Sequence, residues 1–224
     1  MEASRRARLR GLYAITPACS DTGTLVERVR ACLAGGAALL QYRAKEIDPA
    51  LARTQAEALA HECKHAGALF IVNDSLELAM ACGADGVHLG RDDLAIAAAR
   101  ARWPQGIVGA SCYDEAERAI DARGAGADYV AVGSLFASAT KPLAKRAPLE
   151  TIARARELGG LPVAAIGGID ASNAALAIDA GADMVAAISA LFDAPDTRAA
   201  AAAISRLFRT HEDSPHARAQ PRAV

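Results

Sequence analysis

Three polar side chains alternate in the segment Gln41-Tyr42-Arg43-Ala44-Lys45, at the end of a run that is otherwise apolar from Ala38. Side chains of an extended strand alternate faces, so the amide, guanidinium and ammonium groups share one side. Two cations and an amide placed together suit a polyanion, because Arg forks a phosphate and Lys supplies a point charge. The alternative is that they are strand-edge charges paired with acids across the same end. Such acids exist: Asp74 follows Asn73 in LFIVNDSLELAM, and Asp93 ends HLGRDD. Both close apolar runs. Acids beside a cationic triplet are compatible when a hard divalent cation bridges them to phosphate, and Mg²⁺ takes one or two carboxylates with phosphate oxygens. The set therefore reads as a diphosphate-metal site. For NDS a purely structural reading also stands, since Asn, Asp and Ser all cap helices well and an apolar-periodic segment follows.

Further strand ends extend the pattern. Ser111 closes one run, and another leads into GSLFASATKPLAKRAP, which carries the hydroxyls of Ser138 and Thr140 and the ammonium of Lys141. A loop of that length in a compact domain often serves as a lid. Two later runs end in AIGGID and AAISA. The amides of Gly167 and Gly168 and those around Ile188 and Ser189 would form a phosphate-binding corner. Together these residues imply a site for two phosphorylated ligands.

Positioning so many groups requires a repeating scaffold. GAD recurs at 83 to 85, 126 to 128 and 181 to 183, each time after an Ala-rich amphipathic segment and before a short β-rich run; GGAALL at 35 to 40 is a relaxed copy. Gly favours the position just past a helix end, so each copy marks helix, stop, strand. Strands are expected at Gly11 to Thr16, Ala38 to Ala44, Leu69 to Asn73, Gly86 to Leu89, Ile107 to Ser111, Asp128 to Gly133, Pro162 to Gly167 and Met184 to Ser189. Helical patterns begin near Thr24, Pro49, Ser75, Leu94, Asp114, Pro148, Ala171 and Thr197. The strands are mostly continuous apolar runs, as parallel strands covered on both faces are. Eight βα units predict an α/β fold, a single-domain (β/α)₈ TIM barrel, whose functional face lies at the C-terminal strand ends.

Composition agrees. The chain has 224 residues, 52% hydrophobic, enough for one sizeable core. Its formal net charge is -1, and Lys and Arg are scattered apart from RRARLR at 5 to 10, which argues against a nucleic-acid face and for small-molecule partners. No apolar run approaches membrane length and the start lacks the apolar core of a signal peptide, so a cytoplasmic protein is expected. The five cysteines are odd in number and show no CxxC spacing, which reads as reduced thiols. Residues 1–10 read as a short basic N-terminal extension, 11–210 as the barrel and 211–224 as a disordered tail.

HECKH at 61 to 65 is a literal zinc-hydrolase motif, with His61 and His65 on one helix face, Glu62 as base and Asp85 as a conceivable third ligand. Gly67 closes that helix at once. His65 then falls in its last turn, away from the other clusters, where a histidine suits the helix end.

LYAIT, GGAALLQYRAKE, FIVNDSLELAMACGADGVHLGRDD, GASCYDEAERA, GADYVAVGSLFASATK, PVAAIGGI and GADMVAAISAL, in this order from about residue 11 to residue 207, resemble the thiamine-phosphate synthase family. The resemblance implies transfer of a hydroxymethylpyrimidine group from its diphosphate to a thiazole phosphate or its carboxylate, giving thiamine phosphate and pyrophosphate. It implies Mg²⁺ at Asp74 and Asp93. Gln41, Arg43, Lys45, Asn73, Ser111 and Lys141 would hold the pyrimidine diphosphate; Ser138, Thr140, Gly167, Gly168, Ile188 and Ser189 would hold the thiazole phosphate. Arg43, Lys45, Ser111 and Lys141 would act in catalysis, with positive charge collected where pyrophosphate departs and a dissociative path favoured. No activated nucleophile is expected, since Cys112 should face away from Ser111. Two departures are visible: Arg91 stands where the family often has Gln, and Ser138 where it often has Thr. Arg91 could contact phosphate or point to solvent. TenI-like thiazole tautomerases share the fold but place a His after strand 6, and VGSLFASATK has none; His88, within a strand, reads as a hydrogen-bonded core residue. A non-catalytic binding module would need no diphosphate-metal site.

Overall fold

The computed structural model describes residues 7–137 and 145–212. Eight parallel strands close into a barrel in sequence order, with β8 returning to pair with β1. They are β1 (Gly11–Ile15), β2 (Leu39–Tyr42), β3 (Leu69–Asn73), β4 (Gly86–Leu89), β5 (Ile107–Tyr113), β6 (Tyr129–Val132), β7 (Val163–Ile166) and β8 (Met184–Ala187). Among the described residues the helices are α1 (Thr22–Ala34), α2 (Pro49–Ala66), α3 (Leu76–Ala81), α4 (Ile96–Arg102), α5 (Arg118–Gly124), α6 (Glu150–Gly159), α7 (Ala174–Asp179), α8 (Ser189–Phe192) and α9 (Thr197–Glu212). The expected (β/α)₈ barrel is present with all eight strands. β2 stops earlier than expected, β5 runs on to Tyr113, and the single turn α8 is an addition. Among the described residues no helix is long and apolar enough to cross a membrane.

Alternation along each strand divides the apolar residues into two layers. Leu12, Leu40, Phe70, Val87, Val108, Val130, Val163 and Val185 face outward and pack against Leu25, Val29, Leu59 and Ile152 of the helices. Tyr13, Leu39, Leu69, Ile71, Ile107, Tyr129, Ala131, Ala164, Met184 and Ala186 fill the interior. Leu39, Leu69, Ile107 and Met184 open their strands, so they form the floor. Leu9 joins them with 2% exposure. One residue of the basic leading stretch thus plugs the barrel, a burial worth about 1.5–3 kcal/mol. Arg8 beside it donates to the carbonyl of Gly67. The tail from residue 213 and the segment 138–144 lie outside the described residues.

The GAD repeat has a second meaning that helix punctuation alone does not supply. Asp85 donates its backbone N–H to the carbonyl of Phe70 and accepts the Phe70 N–H on its carboxylate at 2.8 Å. Asp128 does the same to Val108 and Asp183 to Val163, each carboxylate contact being 2.9 Å. Each Asp therefore grips both backbone groups of one residue near the start of the preceding strand and sets the register there. Ala38 of the relaxed copy makes only the backbone half, to Leu12. Arg100 and Arg156 reinforce the clasp by pairing with Asp128 and Asp183.

The zinc motif lies at this lower end. Gly67 closes α2 in the left-handed conformation, with Lys64 and His65 in the last turn. The rings of His61 and His65 stack 6.5 Å apart, but Glu62 is turned to Arg30 and accepts two hydrogen bonds of 2.7 Å from it. The guanidinium holds the Glu62 carboxyl below its usual range, which does not suit a general base. Asp85, the conceivable third ligand, is committed to Phe70.

Two outcomes follow. Asp128→Ala strips the Val108 N–H and the Arg100 guanidinium of an acceptor and should cost about 1–3 kcal/mol in urea denaturation; a loss below about 0.5 kcal/mol contradicts the clasp. Replacing His61 and His65 together by Ala should leave the metal content of the purified protein unchanged by elemental analysis, and a one-to-one zinc content lost in the double variant contradicts the assignment.

Candidate functional site

At the C-terminal strand ends a cavity of about 180 Å³ opens into the barrel. Its room comes from an asymmetry of side-chain size. β6, β7 and β8 point Ala131, Ala164 and Ala186 inward, whereas β1 and β3 fill their side with Tyr13, Ile15 and Ile71. Gln41, Arg43, Asn73, Ser111, Gly167, Gly168, Ile188 and Ser189 all line this cavity, so eight residues expected from different strand ends meet in one place. Ser138, Thr140 and Lys141 lie outside the described residues.

The cationic triplet is not one uniform face. Gln41 is 4% exposed, inside the barrel, and donates to the Tyr13 hydroxyl at 2.8 Å. Arg43 stands just past the end of β2, where its backbone N–H is held by the Thr16 hydroxyl at 3.0 Å. Lys45 turns from the cavity to Asp74, with 3.7 Å between charged atoms, in a neighbouring depression lined by Asn73, Asp74, Ser75 and Leu78. Alternation governs the strand residues; beyond Tyr42 the chain is no longer extended strand, and Lys45 follows the nearest negative charge. Asn73 borders both depressions.

The question raised by NDS resolves residue by residue. Ser75 is the N-cap of α3 and accepts from the Leu78 N–H. Asp74 is thereby released from capping. Its backbone adopts φ 65°, which a non-glycine residue seldom holds without a local reason, and its N–H is tied to the carbonyl of His88. The carboxyl group neighbours that of Asp93. Burial, then the bond to Asp93 and its charge, hold Asp74 above the ordinary carboxylate range, opposed by Lys45 and Arg43. Two adjoining carboxyls with one disposed to keep its proton form a pair that a cation would relieve. Asp93 is itself positioned by accepting from the Gly90 N–H at 2.6 Å.

Arg91 is placed by a residue that sequence reasoning passed over. β5 runs past Ser111 to Tyr113, and strand alternation puts both of them on the cavity while Cys112 is buried in the outer layer, even though the pairing with β6 shifts register between them. Burial raises the Cys112 thiol to about 12, which leaves it inert as a nucleophile. Tyr113 accepts the Arg91 backbone N–H at 3.0 Å, its ring lies 5.0 Å beneath the Arg91 guanidinium, and that guanidinium reaches Glu115 at 2.7 Å. Arg91 so tethers the loop that carries Asp93.

On the opposite side, Gly167 and Gly168 have φ of 106° and 63°. A Cβ on Gly168 would stand 2.1 Å from the carbonyl oxygen of Ala137, and one on Gly167 2.3 Å from the Ser134 hydroxyl. The double glycine is required because the start of the β6–α6 connection crosses it closely. The other end of that connection is anchored by the Lys145–Asp114 ion pair and by the Ala147 N–H on the Ser134 carbonyl.

His88 is buried and hydrogen-bonded, as a strand histidine is expected to be, yet it also lines the cavity. Its Nε2 is 2.9 Å from the Ser111 hydroxyl and its Nδ1 is 3.0 Å from the Tyr129 hydroxyl. A phenol stands where a Ser-His-Asp triad has a carboxylate, so Ser111 lacks the usual apparatus of a nucleophile. Tyr13 and Tyr129 went unread in the sequence. Their signal was an inward-facing aromatic with a polar tip, which demands a partner when buried.

Comparison with known proteins agrees with this geometry. Residues 12–191 match the thiamine monophosphate synthase family model. The thiamine-phosphate synthase of Aromatoleum aromaticum is 56% identical over 202 residues, 90% of this chain and 97% of that protein; that of Thiobacillus denitrificans is 55% identical over 199 residues, 88% and 94% of the two. Among solved structures, the thiamine phosphate pyrophosphorylase of Pyrococcus furiosus superposes with a TM-score of 0.82 at 36% identity, covering 92% of this chain and 98% of its own. A 3-hexulose-6-phosphate synthase, at 19% identity and a TM-score of 0.65, shares the fold alone. By its family match, its relatives and the barrel it forms, this chain belongs to the thiamine monophosphate synthase family.

Proposed function

We propose that the protein joins hydroxymethylpyrimidine diphosphate to thiazole phosphate to give thiamine phosphate and pyrophosphate with Mg²⁺, or to the thiazole carboxylate to give the same products with CO₂ released as well. The observation that carries this reading is that Asp74, with Asp93 near it and Lys45 and Arg43 acting on it, lies in a depression that Asn73 shares with the cavity holding Arg43 and the double-glycine corner. The carboxyl pair fits a hard dication: both ligands are oxygens, they adjoin, and Asp74 is uncomfortable as a second bare anion. Asp74 and Asp93 would hold Mg²⁺, which when bound offsets the charge of diphosphate oxygens. A cytoplasmic setting, part of the same proposal, suits the five free cysteines.

The chain's own residues account for the rest. Arg43 and Lys45 bind the diphosphate as it becomes pyrophosphate, and the family resemblance assigns Lys141 to the same ligand. Gln41, Asn73 and Ser111 orient the pyrimidine; Gly167, Gly168, Ile188, Ser189, Ser138 and Thr140 receive the thiazole phosphate. The bond from the pyrimidine methylene to the diphosphate oxygen breaks with its electron pair on oxygen, and the thiazole nitrogen lone pair forms the new carbon-nitrogen bond. No proton need be abstracted, in keeping with a site that has hydrogen-bond donors and cations but no activated nucleophile. The apolar wall of Ala131, Ala164 and Ile166 keeps water from the methylene while it is cationic.

Turnover of the two substrates to thiamine phosphate should be abolished by EDTA and restored by Mg²⁺. Asp74→Asn and Asp93→Asn should each lower it about 100-fold or more with the fold intact by circular dichroism. If Asp74→Asn keeps the metal dependence of the parent, the metal assignment fails. Protons compete with a cation for Asp74, so the Mg²⁺ concentration for half-maximal rate should rise as pH falls through the raised Asp74 value; a flat dependence contradicts it.

Replacing the pyrimidine methyl by trifluoromethyl withdraws electrons from the methylene cation. It should slow the single-turnover step by orders of magnitude with little loss of binding. Near-equal rates with chemistry limiting would exclude the dissociative path.

A further inference from the structure

The barrel interior contains an unbroken line of hydrogen bonds that the mechanism above leaves unused. Gln41 Nε2 donates to the Tyr13 hydroxyl at 2.8 Å, Tyr13 and Tyr129 hydroxyls are 2.8 Å apart, Tyr129 is 3.0 Å from His88 Nδ1, and His88 Nε2 is 2.9 Å from Ser111. The line crosses from β2 through β1, β6 and β4 to β5, and Gln41, Tyr13, His88 and Ser111 all border the cavity.

Two phenols in an apolar interior are costly unless satisfied, so leucine or phenylalanine would serve packing alone at least as well. Space is reserved for one of them. A Cβ on Gly109 would fall 2.2 Å from the Tyr129 ring and 2.4 Å from its hydroxyl. Burial raises both phenols well above their ordinary values, so each hydroxyl keeps its single hydrogen.

Counting hydrogens gives the line a direction. With Gln41 donating to Tyr13, the order that leaves no hydrogen stranded runs from Tyr13 to Tyr129 and from Tyr129 to His88 Nδ1. His88 is then the Nε2–H tautomer and donates to Ser111 Oγ. The opposite sense between the phenols would leave the Tyr13 hydrogen without an acceptor among these groups. Turning the Gln41 amide over would reverse every bond, so its orientation and the Ser111 hydroxyl are linked across the barrel. In the order given, the Ser111 hydrogen points away from His88 and into the cavity, and the Gln41 amide oxygen remains as an acceptor.

We infer that Tyr13 and Tyr129 are positioning residues: acting through His88, they hold Ser111 as a hydrogen-bond donor to a ring nitrogen of the heteroaromatic ligand, while Gln41 accepts from an exocyclic amine. The ligand half of this inference rests on the aminopyrimidine reading above; the hydrogen order does not. The two are tested by different measurements on the full chain.

Side-chain ¹⁵N NMR of the ligand-free protein should show His88 as one tautomer, Nδ1 bare and Nε2 protonated. The other tautomer, or a mixture, overturns the proposed order whether or not the protein makes thiamine phosphate. Tyr129→Phe keeps the ring and removes the hydroxyl. It should give a mixed His88 tautomer and raise KM for the pyrimidine diphosphate about tenfold while leaving KM for the thiazole phosphate unchanged.

In a Ser111→Ala background, Tyr129→Phe should raise the pyrimidine KM by clearly less than it does alone, because the route through His88 to Ser111 is lost and only that through Tyr13 to Gln41 remains. Full additivity there, or an equal rise in both KM values, assigns Tyr129 to packing and overturns the inference. Tyr13→Phe should shift the same readouts in the same direction by a smaller factor. It provides the test if Tyr129→Phe does not fold, and an unshifted tautomer in Tyr13→Phe overturns the relay.

Discussion

Two neighbouring carboxyl groups in a partly buried setting cannot both remain charged at little cost, and the surroundings of Asp74 and Asp93 answer to that constraint. Asp74 is taken out of ordinary helix capping because Ser75 does that work, and its left-handed backbone is held by the N–H to His88 carbonyl bond. Asp93 is fixed by Gly90, on a loop tethered through Arg91 to Tyr113 and Glu115. Lys45 and Arg43 moderate the repulsion without removing it. Such residual discomfort is what a dication site needs, since full neutralisation by lysine or arginine would leave nothing for the metal to gain.

The same strands divide labour around the cavity. Small inward residues on β6 to β8 leave volume near the strand ends, while the Tyr13–Tyr129 pair, from β1 and β6, supplies hydrogen-bonding polarity in the interior. Charge is kept at the rim, where solvent and ligands can compensate it; only neutral groups descend into the barrel, where an unpaired charge would be far more costly. A cationic methylene would therefore form over an apolar wall, below the cations that hold its leaving group. In the proposed dissociative path, separation of these two environments by a few strand residues would allow ionisation without inviting water.

The fold was legible because strand runs and helix stops repeat. Glycine after each helix announced the βα unit, and GAD carried the extra clasp of Asp85, Asp128 and Asp183 that only three-dimensional pairing reveals. Polar residues at strand ends were legible as well, since they interrupt apolar runs. Lys45 was misplaced because period-two alternation fails once β2 ends at Tyr42. Tyr113 was missed because the strand was expected to end at Ser111, whereas β5 runs two residues further and alternation then returns Tyr113 to the cavity face. Tyr13 and Tyr129 looked like ordinary strand aromatics: their hydroxyls matter through a bond between residues 116 positions apart. Ser138, Thr140 and Lys141 lie outside the described residues, so their expected roles rest on the family resemblance.

The most direct test of the carboxylate-pair account is anomalous diffraction from crystals of the protein grown with Mn²⁺, in place of Mg²⁺, and pyrophosphate. The account predicts one strong metal peak between Asp74 and Asp93, with pyrophosphate oxygens in its coordination sphere and Arg43 and Lys45 on the outer oxygens. A metal bound instead at His61 and His65, or pyrophosphate held beside Arg43 with no metal on either aspartate, would contradict it.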